Sequence, residues 1–186
     1  MAKTLTTVIF TAKICRPGGT DKGASWNFLN LPTDASEQLP TRSMVSVEGT
    51  FKGHDFWTTL IPDGEGGHWL KVDEKLGQAA KANAGDVVEV VITPMEKEPE
   101  PEVPSEVLNA LEDAGQKATE TWNSITPMAR RDWVFWIASA KKEETRLKRL
   151  QVAMSKLSAG NRRPCCFDRT GMYDKSLSSP VPDNVE

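Results

Sequence analysis

A segment rich in proline and glutamate, residues 94–104 (PMEKEPEPEVP), divides this chain into two unlike halves. Proline fixes φ and removes a backbone donor, so this composition is typical of an extended linker rather than of a helix or strand. Before the segment, short apolar runs alternate with glycine and proline turns. After it, apolar residues recur at helical spacing. The sequence therefore predicts an α+β protein of two domains joined by a Pro/Glu linker over 95–104.

The first half, residues 5–94, has the pattern of a small β-barrel. Apolar residues alternate with more polar ones from Val8 to Ile14, as in a strand with one buried face. Lys52 and Gly53 separate two further strand-like runs, which predicts a tight hairpin. Many short strands with turns between them favour a closed barrel, because closure removes exposed sheet edges.

The remaining segments of this half add three expectations. Trp26 is expected to anchor a strand over 25–29, and a polar loop follows through Pro40. Asp73 is a suitable N-cap for one short helix that runs to about Ala82. The barrel is thus predicted to contain one helix.

The second half, residues 105–160, predicts a small helical domain. Ser105 and Gly115 are suitable as the N-cap and the C-terminal stop of a first helix, and 116–123 forms a second. Residues 161–186 contain Pro, Gly and Ser without periodicity. They are expected to form an irregular, poorly ordered tail.

A third helix is predicted to begin at Thr126. Its hydroxyl can cap the helix, and Pro127 suits the first helical position, where an N–H would have no partner. Trp133 and Trp136 lie three residues apart in an apolar stripe. We expect both tryptophans to be structural anchors of the helical core.

A fourth helix is expected to follow after a break. The apolar rhythm resumes from Leu147 to Leu157, and Gly160 is a natural stop. The range Lys142–Glu144 interrupts the stripe and supplies two carboxylates, which favour the positive N-terminal end of a helix. The sequence predicts that the two helices meet there.

Cations are concentrated in this region, with ten Lys and Arg against three acidic residues between 128 and 163. They form either a surface for an anionic partner or the solvated side of amphipathic helices. Under the first interpretation, the candidate binding residues are Arg130, Arg131, Lys141, Lys142, Arg146 and Arg149.

Charge is unevenly distributed along the 186 residues, whose formal net charge is -3. Residues 1–103 carry 10 basic and 15 acidic side chains, whereas 104–163 carry 11 and 7. The sequence has no apolar run long enough to span a membrane and no secretion signal, so we expect a cytoplasmic protein. Three cysteines do not make a disulfide framework.

Residues that could support chemistry do not form a recognisable constellation. The Gly-rich loop at 63–67 lacks the Lys-Ser/Thr ending of a phosphate loop. His54 and His68 are expected on the barrel surface. Cys165 and Cys166 are adjacent, without the spacing of a zinc site, although nearby arginines could make them redox-sensitive. We therefore predict no catalytic residue, no metal and no cofactor.

Several motifs resemble two known families. Phe10-Thr11-Ala12-Lys13, Val47-Glu48-Gly49-Thr50, Leu60-Ile61-Pro62-Asp63-Gly64 and Gly85-Asp86-Val87-Val88 resemble the barrel family called domain of unknown function 1905. Ala140-Lys141, Glu144-Thr145-Arg146, Arg149 and Leu157-Ser158-Ala159-Gly160 resemble the YdeI/OmpD-associated, bacteriocin-protection family. The resemblance implies a double-split barrel of AbrB/MazE-like architecture, a helical C-terminal domain, a bacterial host and a link to antimicrobial-peptide resistance. It implies no reaction.

Three functions follow as hypotheses. The first is a non-enzymatic binding or protection protein whose basic helical surface meets an unknown anionic or protein partner. The second is an AbrB-like nucleic-acid-binding regulator, although the acidic first half argues against it, because DNA affinity depends on neutralising phosphates. The third is an enzyme with a site between barrel and helices.

Overall fold

The structure is a computed structural model that describes residues 5–165, 167–173 and 177–183, without the Thr20 side chain. The chain divides into two compact units. One consists of Met1–Glu96 together with Asp168–Glu186, and the other of Lys97–Phe167. We call them the barrel unit and the helical unit.

Six strands in the described part of the barrel unit form one antiparallel sheet in the order β1-β6-β3-β4-β5-β2. They are β1 (Val8–Lys13), β2 (Asn27–Asn30), β3 (Val45–Phe51), β4 (His54–Pro62), β5 (His68–Val72) and β6 (Val87–Pro94).

The sheet closes almost completely into a barrel. Just beyond β1, the Cys15 N–H donates to the Phe28 carbonyl at 2.7 Å, and the Phe28 N–H donates to the Cys15 carbonyl at 2.9 Å. This bridge joins the two edge strands. Val8, Phe51 and Leu60 face inward and are buried. The predicted α+β class with a small N-terminal barrel is confirmed, and the double-split topology stays a prediction.

The hairpin between β3 and β4 forms at the predicted turn. Lys52 and Gly53 have φ values of 50° and 81°, the two positive values that a tight two-residue hairpin turn requires. Gly49 lies on β3 where the neighbouring strand β6 comes very close, and an added Cβ would overlap the Val91 carbonyl. Glycine is needed there because the two backbones leave no room for a side chain.

The polar loop predicted after β2 is wrong in part, because it contains a short helix, α1 (Thr33–Glu37). Pro32 precedes the helix, and its carbonyl accepts the N–H groups of Ala35 and Ser36 at 3.1 and 3.0 Å. Ala35 is buried in the barrel core. Burial of this face supports a helix too short to show a helical repeat in sequence.

The helix predicted after Asp73 is confirmed, with an earlier end. The Asp73 carboxylate accepts the Leu76 N–H at 2.8 Å and caps α2 (Glu74–Ala79). The helix stops before Ala82 because Lys81 adopts a positive φ of 47° and reverses the chain.

Part of the C-terminal tail packs on the barrel, whereas the sequence predicts a poorly ordered tail. Leu177 is 3% exposed. The Gly18 N–H donates to the Val181 carbonyl, and the Asp183 N–H donates to the Arg16 carbonyl, both at 2.8 Å. These bonds pair residues 181–183 with the segment that follows β1, a contact that periodicity within the tail cannot reveal.

The helical unit has four helices within its described residues: α3 (Ser105–Ala114), α4 (Gln116–Ser124), α5 (Pro127–Ala138) and α6 (Glu143–Ser158). Helix α6 packs against the other three. Its core includes Val107, Leu111, Trp122, Trp133, Ile137 and Leu157. The helical C-terminal domain is confirmed.

Two details of this unit correct the prediction. Ser105 does not cap α3: it is the first helical residue, and the Pro104 carbonyl accepts the Val107 N–H at 2.9 Å. Leu147 is 45% exposed, because the inward stripe of α6 runs through Leu150 instead. No helix in the described ranges is long and apolar enough to cross a membrane.

Candidate functional site

The candidate site is the α5–α6 corner, residues 139–149, where four of the six predicted cations lie. Thr126 caps α5 as predicted, since its hydroxyl accepts the Ala129 N–H at 3.2 Å. After α5 ends, Lys142 is extended (φ -110°, ψ 139°) and serves as the N-cap residue of α6. The predicted break is confirmed, and it places Lys141 and Lys142 in the bend.

Arg149 holds the corner together. One guanidinium nitrogen, Nη1, donates to the Trp136 carbonyl at 2.7 Å and to the Ser139 hydroxyl at 3.0 Å. The guanidinium also lies 5.4 Å from the centre of the Trp136 ring. A cation at the C-terminal end of α5 complements its helix dipole. Arg149 is therefore committed to joining α6 to α5.

Arg146 joins α6 to α3. Its Nη1 donates to the Glu106 carboxylate, and its Nη2 lies 3.8 Å from the Glu143 carboxylate. The hydrogen bond to Glu106 raises the pKa of the Arg146 guanidinium above its ordinary value. Two carboxylates balance this cation, so it adds little positive charge to the surface.

Arg130 binds the end of α4. Its Nε donates to the Trp122 carbonyl at 3.1 Å, and its Nη2 donates to the Ile125 carbonyl at 3.0 Å. Its Nη1 meets the Glu100 carboxylate at 2.6 Å. Carbonyls at the end of a helix lack partners within it, and this arginine satisfies them.

Arg131 belongs to a network inside the helical unit. It pairs with Glu98, and its Nη2 lies 3.6 Å from the buried Asp132 carboxylate. Arg163 reaches the other Asp132 oxygen at 3.3 Å. A carboxylate that is only 1% exposed needs such partners, because an unpaired buried charge is very costly.

Lys141 and Lys142 differ from these four arginines. Both side chains are exposed, and within the described residues no salt bridge or side-chain hydrogen bond is observed for either. Lys148 is also exposed on α6, whereas Glu143 and Glu144 lie beside the bend. The corner therefore offers two adjacent ammonium groups on a bend that Arg149 and Arg146 hold in place.

The predicted tryptophan anchors lie in two places. Trp133 is 1% exposed in the helical core, and the half-buried Trp136 meets it edge-on, with ring centres 6.0 Å apart. In the barrel, Trp26 stacks on Trp69 at 6.3 Å, and the Lys71 ammonium lies 4.8 Å from the centre of the Trp26 ring. Each ring thus contributes to packing.

The sequence predicts both histidines on the barrel surface. His54 is exposed, but the prediction is wrong for His68, which is 1% exposed. The His68 Nε2 lies 3.0 Å from the Ser43 carbonyl, and Nδ1 lies 3.4 Å from the Ser36 hydroxyl. Burial lowers the pKa of this imidazole, while the Ser43 carbonyl opposes the shift. With both ring nitrogens engaged, His68 ties β5 to the segment before β3.

The remaining candidates for chemistry are structural or lie apart. In the Gly-rich loop, the Asp63 carboxylate accepts the N–H groups of Glu65 and Gly67, both at 2.8 Å, so the loop is stabilised from within. Cys165 is exposed, and Cys166 lies outside the described residues. Among the described residues, no group of three or more His, Cys, Asp or Glu could hold a metal.

The acidic partners of the arginines are the residues that the sequence does not reveal. Glu98, Glu100 and Glu106 lie 30 to 40 positions from the arginines that they bind. No local spacing rule connects groups so far apart in the chain, and the first two belong to a segment whose composition indicates a linker.

Comparison with known proteins found a matching family model for each part of the chain. Residues 10–92 match the family model described as domain of unknown function DUF1905. Residues 100–160 match the model described as "Bacteriocin-protection, YdeI or OmpD-Associated". The comparison with curated proteins found no match. The predicted resemblance is confirmed for both regions.

Proposed function

We propose that this chain, which joins a DUF1905 domain to a YdeI/OmpD-associated domain, is a non-enzymatic cytoplasmic binding protein of the bacteriocin-protection type. Its partner is anionic and meets the α5–α6 corner. The observation that carries the proposal is the exposure of Lys141 and Lys142 beside arginines that the fold already uses.

Electrostatics supports this choice of residues. The carboxylates of Glu98, Glu100 and Glu106 balance the charges of three arginines. An anion that bound these arginines would first have to displace their partners. Exposed ammonium groups meet an anion at lower cost, because they remain hydrated until contact and only their rotamer freedom is lost.

The structure also favours binding over catalysis. His68 makes its contacts inside the barrel and is not available as a surface general base. The tryptophans predicted as anchors pack against other aromatic rings or cations.

Cell fractionation tests the proposed cytoplasmic location.

The function is tested by complementing a deletion strain of the native host and measuring survival under a bacteriocin. We expect Lys141→Glu/Lys142→Glu to lose most of the protection that the unchanged chain restores. The matched control is Lys75→Glu/Lys117→Glu, which alters charge equally at two exposed lysines elsewhere and should protect fully. Full protection by the first variant would contradict the proposal. On a DNA column at low salt we expect the unchanged chain to flow through, whereas retention on the column would favour nucleic-acid binding.

A further inference from the structure

The outward side of four neighbouring strands, β1, β6, β3 and β4, forms an exposed surface that the proposed function does not use. We call it the outer sheet face. Ile9 is 65% exposed and pairs with Val91 of β6, and Trp57 is 59% exposed and pairs with Glu48 of β3. These two apolar side chains lie on the two outer strands of the face, so a partner that crosses the four strands can pack on both.

Polar groups between these residues are engaged with each other. The hydroxyls of Thr7, just before β1, and Thr93 of β6 lie 2.8 Å apart. Those of Ser46 and Thr59 lie 3.0 Å apart across β3 and β4. Such cross-strand pairs stabilise the sheet. These four hydroxyls therefore have partners within the sheet.

The charge of this face is acidic. Glu89 on β6, Glu48 on β3 and Asp55 on β4 are exposed, and Lys13 is exposed at the end of β1. In the adjacent turn, the Lys52 ammonium group donates a hydrogen bond to the Lys81 carbonyl at 3.0 Å, so it is held away from the carboxylates of this face. The exposed charges on these four strands are thus three carboxylates and one ammonium group, and the largest exposed side chain is that of Trp57.

We infer that the outer sheet face binds a cationic amphipathic peptide segment. Apolar side chains of the peptide would pack on Trp57 and Ile9, while its Lys or Arg groups would meet Glu48 and Asp55. A tryptophan ring also attracts cations directly. Four strands span about 14 Å at ~4.8 Å per interval, enough to receive one helix about 10–12 Å wide.

This inference goes beyond the proposed function and shares no residue with it. The α5–α6 corner takes an anionic partner through Lys141 and Lys142, whereas the outer sheet face takes a cationic one. The full chain can therefore fail one test and pass the other.

The probe is a fluorescently labelled synthetic peptide of leucine and lysine at helical spacing, titrated with the full-length chain and followed by anisotropy. We expect saturable binding that weakens as salt is added, because exposed charge pairs are screened. Trp57→Ala should weaken binding about tenfold, and Trp57→Phe should retain part of the affinity because a ring remains.

A second variant removes charge without touching the tryptophan. Glu48→Gln/Asp55→Asn should weaken binding about three- to tenfold at low salt and less at high salt. The matched control is Asp34→Asn/Glu37→Gln on α1, both exposed in the barrel unit, which should bind as the unchanged chain does. Circular dichroism checks that each variant is folded. Absence of saturable binding, or equal binding by all variants, would overturn the inference.

Discussion

Replacement of Arg149 by alanine should loosen the α5–α6 corner. The side chain makes two charge-assisted hydrogen bonds, to the Trp136 carbonyl at 2.7 Å and the Ser139 hydroxyl at 3.0 Å, and it contacts the Trp136 ring. Such bonds contribute about 1 to 3 kcal/mol in a partly buried setting, and the ring contact adds about 0.5 to 1 kcal/mol. Since these terms overlap, we expect Arg149→Ala to lower the free energy of unfolding by about 2 kcal/mol.

Arg149→Lys separates charge from geometry. Lysine keeps the positive charge but lacks the planar fork that reaches both acceptors and covers the ring. We therefore expect it to recover less than half of the lost stability. The matched control is Lys148→Ala, an exposed neighbour on α6, which should change stability by no more than about 0.5 kcal/mol.

Urea unfolding followed by tryptophan fluorescence and circular dichroism measures these changes. Hydrogen exchange of residues 139–142 reports the corner itself, and it should speed up in Arg149→Ala but not in Lys148→Ala. Equal urea midpoints and equal exchange in both variants would refute the structural role assigned to Arg149.

Three further predictions concern the barrel unit. Burial lowers the pKa of His68, so the unfolded chain takes up a proton at higher pH than the folded chain. The contribution of His68 to the free energy of unfolding should be fully present above the ordinary pKa of 6.5 and should fall as the pH drops below it, by at most about 1.4 kcal/mol per pH unit. In urea unfolding at several pH values, His68→Gln should reduce this dependence on pH, whereas His54→Gln should leave it unchanged. Gly49→Ala should lower the thermal midpoint sharply, with a cost of about 2 to 3 kcal/mol, because its Cβ overlaps backbone. Leu177→Ala should cost about 2 to 4 kcal/mol in urea unfolding, whereas Val181→Ala, at an exposed position, should cost little.

Local signals in the sequence predict those parts of the fold that local physics decides. Lys52-Gly53 gives the hairpin because its turn needs two positive φ values. Thr126 and Asp73 mark the starts of α5 and α2. The Thr126 hydroxyl and the Asp73 carboxylate each accept the backbone N–H three residues later. Gly115 ends α3 with a φ of 89°.

Features that depend on distant residues were beyond these signals. Helix α1 forms because Ala35 fits the barrel core, and the tail packs because its backbone pairs with Arg16 and Gly18, far away in sequence. His68 is buried because Ser36 and Ser43, contributed by separate segments, meet its ring nitrogens. A single sequence contains the residues of such contacts but not their pairing.

In the candidate site, too, the sequence contains the cations but does not show which of them have partners. The six predicted cations divide by residue type: the four arginines have partners within the helical unit, whereas the two lysines are exposed. Arginine is weakly hydrated and can donate to several carbonyls at once, so a fold can use it to join helices. Lysine is strongly hydrated and loses more when it is buried. In a basic helical segment rich in both, the lysines should therefore be tested first for binding and the arginines for stability.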